Sequence, residues 1–577
     1  MRARHLAVSA ALTLSLLAPA AAWAGDSLPA DPADQPPFNG GEAYRLAVPP
    51  SESEPPPGFR LDAQGVASTA AEAVPEEAAD AERVRTRTRL GSKGQNEWQV
   101  DFFGSDGDDL AQVVVDDVTG EVIEEWTGSA VDTKLARGYE GAVSGKVSKW
   151  WIWLPLCLLF LAPFVNPRRP LRLIHLDLLA LLGFSASLFF FNKAEIGLSV
   201  GLVYPVLAYV FLRMLIAGFR ASETREPLVP FAPRSLLVAG IVVLAGFHVA
   251  YVATEGKVID VGLAGVIGAD RLAHGEDVYT EEFPEGLPPS GDVRGDVYGP
   301  ANYLFYVPFE LAFPWSGSWD EVSAARAAAL GFELLTALAL FFLGQRLRAG
   351  PEATTLGIAL AYAWLAYPFT MYTLGSSFND SLVAFLVVCC VLAIWSPPGR
   401  GALAALAGLA KFGPLILAPL FAAGTGERAD GTGERRARPL ILFGVAFAVT
   451  AAIVTVPLLP DGGVRELYDR SLGYQASRGS PFSVWGQAPS LEPLQTVTKV
   501  GAVAFAIALF FWPRRRSPAQ IAALAAALLI AVQVTANHWF YPYTVWFAPL
   551  VLVAVFARER GPEPLVETGR RRTAVRA

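Results

Sequence analysis

The stretch that decides the fold begins V-I-D-V-G-L-A-G-V-I-G-A-D-R-L at residues 258–272 and ends D-V-Y-G-P-A-N-Y at residues 296–303. Between these two ends the chain is polar and rich in acids, whereas the flanking segments are apolar. The charges of the neighbouring loops predict that this polar loop lies on the outer side of a membrane. A carboxylate held at the edge of a bilayer is costly, so Asp260 is a candidate functional residue.

Composition indicates a polytopic membrane protein. The chain has 577 residues, of which 53% are hydrophobic and 17% are charged, and its mean hydropathy is +0.37. These values exclude an ordinary soluble enzyme. The net charge of -8 gives no support for nucleic-acid binding. Cys157, Cys389 and Cys390 lie in apolar runs, so we expect them to be small core residues without disulfides.

The N-terminal part is predicted to be exported. Residues 1–24 have the pattern of a signal peptide that ends at Ala22-Trp23-Ala24, with an uncleaved anchor helix as the alternative. Residues 25–60 carry repeated prolines among acids and small residues, which predicts a disordered linker. Residues 61–148 predict a small α+β module, with a helix between Ala63 and Leu90 and strands after it.

Two segments of this module alternate with period two and predict antiparallel strands, E-W-Q-V-D-F-F at residues 97–103 and A-Q-V-V-V-D at residues 111–116. T-G-E-V-I follows at residues 119–123. Together they resemble a PepSY-type domain, in which a strand ends at an Asp and a Gly turn leads into the next strand. The same turn sequence is also common in β-hairpins.

The predicted fold is mainly α: a polytopic transmembrane helical bundle of about eleven spans. The spans are Trp150 to Val165, Ile174 to Phe191, Ile196 to Leu215, Leu236 to Ala253, Val322 to Leu343, Thr354 to Tyr372, Leu382 to Trp395, Leu440 to Pro457, Val500 to Trp512, Ala519 to Ala536 and Tyr541 to Phe556. Residues 150–216 form three extra helices, residues 234–557 a catalytic module and residues 558–577 a basic tail. The loops predicted to be cytoplasmic are basic, as the positive-inside rule requires.

The apolar segment from Ala402 to Phe421 breaks this alternation, because both of its flanks are basic. A re-entrant helical hairpin resolves the conflict. Its middle, G-L-A-K-F-G-P at residues 408–414, has the Gly and Pro that break a helix, and Lys411 is able to neutralise an anion. The alternative is that Lys411 snorkels from an ordinary helix.

By this topology four loops face outward, namely residues 254–321, 375–380, 458–498 and 537–539. A bundle with two long outer loops favours a reaction chamber at the lipid surface or a transport path. We favour the chamber, because the chain shows no repeated halves with paired broken helices of the kind that transporters use.

From about Arg234 to Phe556 the chain resembles the GT-C superfamily of integral-membrane glycosyltransferases, and most of all glycosyltransferase family 87, the polyprenyl-phosphate-mannose type. Asp260 with the following helix and H-G-E-D-V-Y at residues 274–279 resembles that family's first loop. V-Y-G-P-A-N-Y at residues 297–303 resembles its Y-x-P segment, although Gly299 stands where the family often has a second proline. The remaining matches are K-F-G-P-L at residues 411–415, G-S-P-F-S-V-W-G at residues 479–486 and W-F-Y-P-Y at residues 539–543.

The resemblance implies transfer of a mannose-like sugar from a polyprenyl-phosphate donor to a glycan or glycolipid acceptor. The transfer would occur at the extracytoplasmic face of the plasma membrane, with inversion and with Asp260 as general base. We expect no metal and no cofactor. Asp296 is the second acidic candidate. The candidates for binding the donor phosphate are Arg271, Arg294, Arg470, Arg478, His538 and Lys411, with Arg465 as a further cation.

Other interpretations of these residues stay open. Asp260 is also suited to capping the helix that follows it, and Asn379-Asp380 to beginning the next helix. Trp485, Trp539 and Tyr541 fit an interfacial belt as well as a sugar-stacking platform. The alternative functions are a transporter or flippase of lipid-linked substrates, and a non-catalytic membrane sensor that uses the exported module.

Overall fold

The computed structural model describes residues 48–81, 83–90, 96–104, 109–127, 143–193, 196–220, 232–279, 296–317, 322–426, 437–473 and 482–557. The predicted signal peptide and basic tail lie outside the described residues, as do Arg294 and Arg478.

The N-terminal module consists of two helices and one sheet. Helices α1 (Ala63–Ala73) and α2 (Glu76–Ala79) precede strands β1 (Arg83–Leu90), β2 (Asn96–Phe103), β3 (Asp109–Asp116) and β4 (Val122–Thr127). All neighbouring strands are antiparallel, in the order β1-β2-β3-β4. Trp98, Val100, Phe102, Val113 and Val115 form its core with the apolar face of α1. The small antiparallel module predicted from the sequence is present, and its PepSY-like identity stays a prediction.

The predicted helix from Ala63 to Leu90 is wrong in its second half. The sequence R-V-R-T-R-T-R-L at residues 83–90 alternates with period two and forms β1, paired with β2 from Arg83 opposite Phe103 to Leu90 opposite Asn96. Alternation of this kind places all arginines on one face of a strand, whereas a helix would distribute them around its circumference.

Asp117 ties the chain before α1 to the sheet. Its buried carboxylate accepts hydrogen bonds from the N–H groups of Arg60 and Leu61 at 2.9–3.1 Å and from the Trp98 indole at 2.9 Å. Phe59 packs edge-on against the Trp98 ring. The end of the predicted linker is therefore in contact with the module.

Beyond this module, the part of the chain that the structure describes is helical. In chain order the first helices are α3 (Trp150–Leu161), α4 (Leu173–Phe191), α5 (Ile196–Phe219), α6 (Arg234–Glu255), α7 (Asp260–His274), α8 (Pro300–Ala312), α9 (Ser323–Leu347), α10 (Gly350–Ala366), α11 (Pro368–Gly375) and α12 (Asp380–Leu392). They are followed by α13 (Pro397–Ala410), α14 (Ala418–Ala423), α15 (Ala437–Thr455), α16 (Gly463–Tyr468), α17 (Val484–Gln487), α18 (Glu492–Phe511), α19 (Pro518–Thr535) and α20 (Thr544–Phe556).

Seven helices of the described part are long and apolar enough to cross a membrane: Leu173–Phe191, Gly197–Phe219, Arg234–Glu255, Ser323–Leu347, Ala437–Leu458, Glu492–Phe511 and Pro518–Thr535. This number is smaller than the predicted eleven because several predicted spans are shorter helices, among them α3 and α12. The predicted span from Thr354 to Tyr372 is two helices, since Pro368 begins α11 and Tyr367 before it is extended. The chain is thus a multi-pass membrane protein by composition and helix length.

The segment from Ala402 to Phe421 folds back on itself. Helix α13 ends at Ala410, a 3-10 turn covers Gly413–Leu417, and α14 returns. Arg400 near the start of α13 donates from Nε to the Phe421 carbonyl at 2.6 Å and from Nη1 to the Ile394 carbonyl at 2.7 Å. Both ends of the segment therefore lie together, as the predicted re-entrant hairpin requires, and its tip carries Lys411.

The three extra helices share one core with the helices that follow. The Tyr541 hydroxyl is hydrogen-bonded to Ser187 at 2.8 Å and Ser199 at 2.7 Å, and Phe184 stacks on Trp539. Two contacts between ionisable side chains of different helices are also buried, His248 with Glu333 at 2.5 Å and Arg213 with Asp177 at 2.8 Å. Such contacts fix the register of helices that otherwise present only apolar side chains.

Substituting Asp117→Ala is expected to destabilise the N-terminal module by about 2–4 kcal/mol, because buried N–H donors lose their acceptor. Hydrogen exchange of the β2 and β3 amides in the full-length protein measures this loss. The matched control is Glu121→Ala, which removes an exposed carboxylate from the adjoining turn and is expected to change stability by less than about 0.5 kcal/mol. Equal exchange rates in the two variants would contradict the assigned role of Asp117.

Candidate functional site

The tip of the α13–α14 hairpin holds a buried ion pair. Lys411 is extended, just after the last residue of α13, and its Nζ lies 2.9 Å from Asp380 Oδ1 at the start of α12. The same carboxylate oxygen accepts a hydrogen bond from the Trp546 indole at 2.6 Å. The Lys411 side chain is 12% exposed and that of Asp380 is 1% exposed. Lys411 therefore lies between Asp380 and the surface.

Aromatic rings surround this ammonium group. Lys411 Nζ lies 5.6 Å from the ring centroids of Tyr298, Tyr543 and Trp546. Rings within about 6 Å stabilise a cation through their quadrupoles, and the effect grows where water is excluded. Lys411 thus lies among these rings at the hairpin tip and does not snorkel from a continuous helix.

The Y-G-P turn packs directly on the hairpin tip. A Cβ atom built on Gly299 would lie 1.9 Å from the Leu409 carbonyl oxygen, so only glycine permits this approach. The backbone of Gly299 has φ -72°, which proline also adopts. A proline at position 299 would fit the backbone conformation, but its Cβ would clash with the Leu409 carbonyl. This clash explains why glycine stands where the resemblance predicts a second proline.

Hydrogen bonds between tyrosines hold Tyr298 against Lys411. The Tyr279 hydroxyl donates to the Tyr298 carbonyl at 2.9 Å, and the Tyr303 hydroxyl accepts from the Tyr298 N–H at 3.0 Å. Burial raises the pKa of Tyr279 well above its ordinary value, so this phenol stays a neutral donor. The two motifs of the first loop, H-G-E-D-V-Y and V-Y-G-P, thereby form one structure.

The first and second loops are joined by Arg470. Its Nη1 lies 3.0 Å from Asp296 and its Nε 2.8 Å from Glu466. The hydrogen bond from Arg470, together with the Gly462 N–H, holds the pKa of Glu466 below its ordinary value. Burial lowers the pKa of Arg470, but its hydrogen bonds to Glu466 and Asp296 outweigh this effect and leave the pKa raised. Arg470 and Asp296 thus form a loop-to-loop ion pair.

Asp260 lies half-buried in the first turn of α7, where its carboxylate accepts the Val261 N–H at 2.8 Å. The chain just before it is pinned to the turn between α11 and α12. Lys257 N–H donates to the Gly375 carbonyl at 2.9 Å, and the Ser377 hydroxyl donates to the Lys257 carbonyl at 2.9 Å. That turn continues directly into Asn379 and Asp380. Ile259, and not Asp260, is the N-cap residue of α7, so the capping interpretation is wrong, whereas the catalytic interpretation stays a prediction.

The other residues predicted to bind phosphate lie on three different segments of the chain. Arg271 lies on α7 about 16 Å along the helix axis from Asp260 and close to Tyr303, and its Nη1 reaches the Val278 carbonyl at 3.5 Å. His538 packs against the rings of Phe482 and Tyr543. The Arg465 side chain is 93% exposed, and its Nε lies 3.9 Å from Asp469. His538 contacts Tyr543, which is one of the rings around Lys411.

Two of the proposed aromatic platforms are core residues. Trp539 is buried and donates from its indole to Gln533 at 3.2 Å, and Tyr541 is buried against α4 and α5. Their burial contradicts the prediction of an interfacial belt. The Trp485 indole donates to the Val534 carbonyl at 2.7 Å.

Sequence reasoning missed Asp380 as part of the site. Asp380 does begin α12, as predicted, but it also binds Lys411 and Trp546. The sequence did indicate this pairing, because Asp380 and Lys411 both stand within or next to long apolar segments, and charges in such segments pair with one another. Their separation of 31 residues hid the pairing.

The model of glycosyltransferase family 87 matches residues 297–536. The recognition made from the sequence is confirmed over this region, which contains Tyr298, Asp380, Lys411 and Arg470. Asp260 and His538 lie outside it. Among curated proteins none matches the chain.

Substituting Gly299→Ala is expected to displace the hairpin tip and to destabilise the protein by about 1–3 kcal/mol, the usual cost of overpacking. Thermal unfolding in detergent measures the change. The control is Gly444→Ala on α15, where a Cβ meets no atom within 4 Å. This variant is expected to keep or gain stability, by up to about 1 kcal/mol. If Gly299→Ala behaved like Gly444→Ala, the close approach to Leu409 would be wrong.

Proposed function

Since residues 297–536 match a GT-C-type family of membrane glycosyltransferases, we propose that this protein transfers a sugar from a polyprenyl-phosphate donor to an acceptor hydroxyl. The observation that carries the proposal is the buried Lys411–Asp380 pair within an aromatic enclosure. An ammonium at that position suits a phosphate leaving group, and the rings suit the apolar face of a sugar.

Lys411 is the proposed phosphate ligand. An ammonium has three N–H donors and one of them is directed to Asp380. The remaining donors are available for phosphate oxygens. Asp380 compensates the lysine charge before the donor arrives, in a place where water is largely excluded. The charge that develops on the phosphate as the C–O bond breaks is then stabilised by a cation already in position.

The surroundings of the hairpin suit a lipid carrier. Helices α15 and α18 flank it, and each has a row of exposed apolar residues, among them Ile441, Val445 and Val449 on α15 and Val497, Val500 and Val503 on α18. Exposed aliphatic rows on helices of this length contact lipid tails. A polyprenyl chain beside the hairpin would bring its phosphate to the height of Lys411.

Asp260 is the proposed general base. The acceptor hydroxyl forms a bond to the anomeric carbon while the bond from that carbon to the phosphate oxygen breaks, and the proton passes to the Asp260 carboxylate. Attack opposite the leaving group inverts the anomeric centre. The proposed donor sugar is mannose-like, the acceptor is a glycan or glycolipid, and the site faces the extracytoplasmic side.

Substituting Asp260→Asn is expected to leave folding unchanged and to lower kcat/KM for sugar transfer by about 10²–10⁴-fold, because the proton acceptor is lost while the shape is kept. Transfer from polyprenyl-phosphate mannose by the purified protein measures this. The control is Asp277→Asn, an exposed acid of the same loop, which is expected to keep full activity. Full activity in Asp260→Asn would remove Asp260 from the mechanism.

The same variants separate the alternatives. A membrane sensor would tolerate Asp260→Asn and lose its response when residues 96–126 are deleted. A flippase would move the intact donor across the bilayer without consuming it.

Substituting Lys411→Gln is expected to lower kcat/KM by on the order of 10²-fold, because the cation at the leaving group is lost. Binding of polyprenyl phosphate without a sugar should weaken in the same variant. Lys499→Gln on α18 removes an exposed lysine and serves as the control. If polyprenyl phosphate bound both variants equally well, Lys411 would not be the phosphate ligand.

A further inference from the structure

Five buried polar atoms beside the Lys411–Asp380 pair have no hydrogen-bond partner: Asn302 Nδ2, Tyr306 Oη, Asn379 Oδ1, Asp380 Oδ2 and Ser381 Oγ. Each of these side chains belongs to a residue that is at most 1% exposed. Unpartnered buried polar groups are rare in folded proteins, because each loses its hydrogen bonds to water on folding and gains none in the protein. Five such atoms beside one ion pair indicate that these side chains have a role other than stabilising the fold.

These atoms belong to one cluster. Asn379 Nδ2 donates to Asn302 Oδ1 at 2.9 Å, which joins the start of α12 to α8. Tyr306 lies one turn after Asn302 on α8, and its hydroxyl is within electrostatic range of the Asp380 carboxylate. Ser381 follows Asp380 in the first turn of α12. The cluster therefore adjoins Asp380 and is more deeply buried than Lys411.

The cluster has the donors and acceptors that neighbouring hydroxyl groups need. Asn302 offers an N–H, Asp380 and Asn379 offer acceptor oxygens, and the hydroxyls of Tyr306 and Ser381 serve in both roles. Each hydroxyl of a sugar ring both donates and accepts a hydrogen bond. A phosphate, in contrast, only accepts, and would be repelled by Asp380.

We propose that Asn302, Tyr306, Asn379, Asp380 and Ser381 form a subsite for the hydroxyl groups of the transferred sugar. The inference deepens the proposed function and rests on it. One Asp380 oxygen holds Lys411 and the other accepts a sugar hydroxyl, so a single carboxylate sets the position of the sugar relative to its phosphate. The rings of Tyr298, Tyr543 and Trp546 cover the apolar face of the sugar. The ring reaches the subsite past Lys411, the less deeply buried member of the pair.

The test uses substitutions that remove an unpartnered hydroxyl and little else. Tyr306→Phe and Ser381→Ala are expected to keep or raise the unfolding temperature of the full-length protein, and to lower kcat/KM for transfer by about 3–10-fold each, the effect of one neutral hydrogen bond. The matched control is Tyr372→Phe. The Tyr372 hydroxyl is also buried and unpartnered, but it lies on α11 among Trp153, Phe369 and Tyr541. This variant is expected to keep full activity.

Donor analogues identify the hydroxyls concerned. Polyprenyl-phosphate mannose and its monodeoxy analogues are compared in the wild type and in Tyr306→Phe. One deoxy donor is expected to lose about 3–10-fold in the wild type and no more than about twofold further in the variant, because both changes remove the same hydrogen bond. Binding of polyprenyl phosphate without a sugar should be equal in both proteins.

Two results would overturn the inference while the proposed function stands. The first is full activity of both Tyr306→Phe and Ser381→Ala. The second is that, for every deoxy donor, the fold-loss in kcat/KM caused by the donor is as large in Tyr306→Phe as in the wild type. A wild-type protein that transfers no sugar from any polyprenyl-phosphate donor would overturn the proposed function and the inference with it.

Discussion

A lysine and an aspartate buried among apolar helices can remain charged only if they pair, and the pairing of Lys411 with Asp380 is the constraint on which the site depends. The cost of removing two charges from water is several kcal/mol per ion, so the geometry around them must be nearly complete. The Trp546 indole donates a hydrogen bond to Asp380, and three aromatic rings surround the Lys411 ammonium group. Because the partners come from the hairpin and from α12, the pair also fixes how far the hairpin tip penetrates the bundle.

Several features of the chain follow from that fixed tip. Gly299 allows the first loop to touch the hairpin backbone, and the hydrogen bonds of Tyr279 and Tyr303 then keep Tyr298 over Lys411. The second loop joins the first through Arg470 and Asp296. The first loop thus contacts Lys411, and the second loop joins the first through an ion pair. Arg470, predicted to bind phosphate, is one partner of that ion pair.

The turn between α11 and α12 connects this site to the rest of the molecule. Ser376 accepts a hydrogen bond from the Ser144 N–H at 2.7 Å, and the Tyr251 hydroxyl donates to the Ser144 carbonyl at 2.6 Å. Ser144 belongs to the segment that links the N-terminal module to α3. The same turn holds the backbone before Asp260 and leads into Asp380. The N-terminal part of the chain is therefore anchored at the backbone that positions both acids.

The sequence by itself determined the helical membrane class, the strands at residues 97–103 and 111–116, the hairpin at Lys411 and the family of residues 297–536, because each is encoded by local periodicity, composition or a short motif. It did not determine β1, whose arginines hid a period-two strand, nor the break at Pro368 within an apolar run. Only the tertiary structure decided that Asp380 binds Lys411, that Arg470 binds Asp296, and that Trp539 and Tyr541 belong to the core. These contacts join residues far apart in the chain, and side-chain type alone does not specify which distant partner a charge or a ring will meet when helices pack.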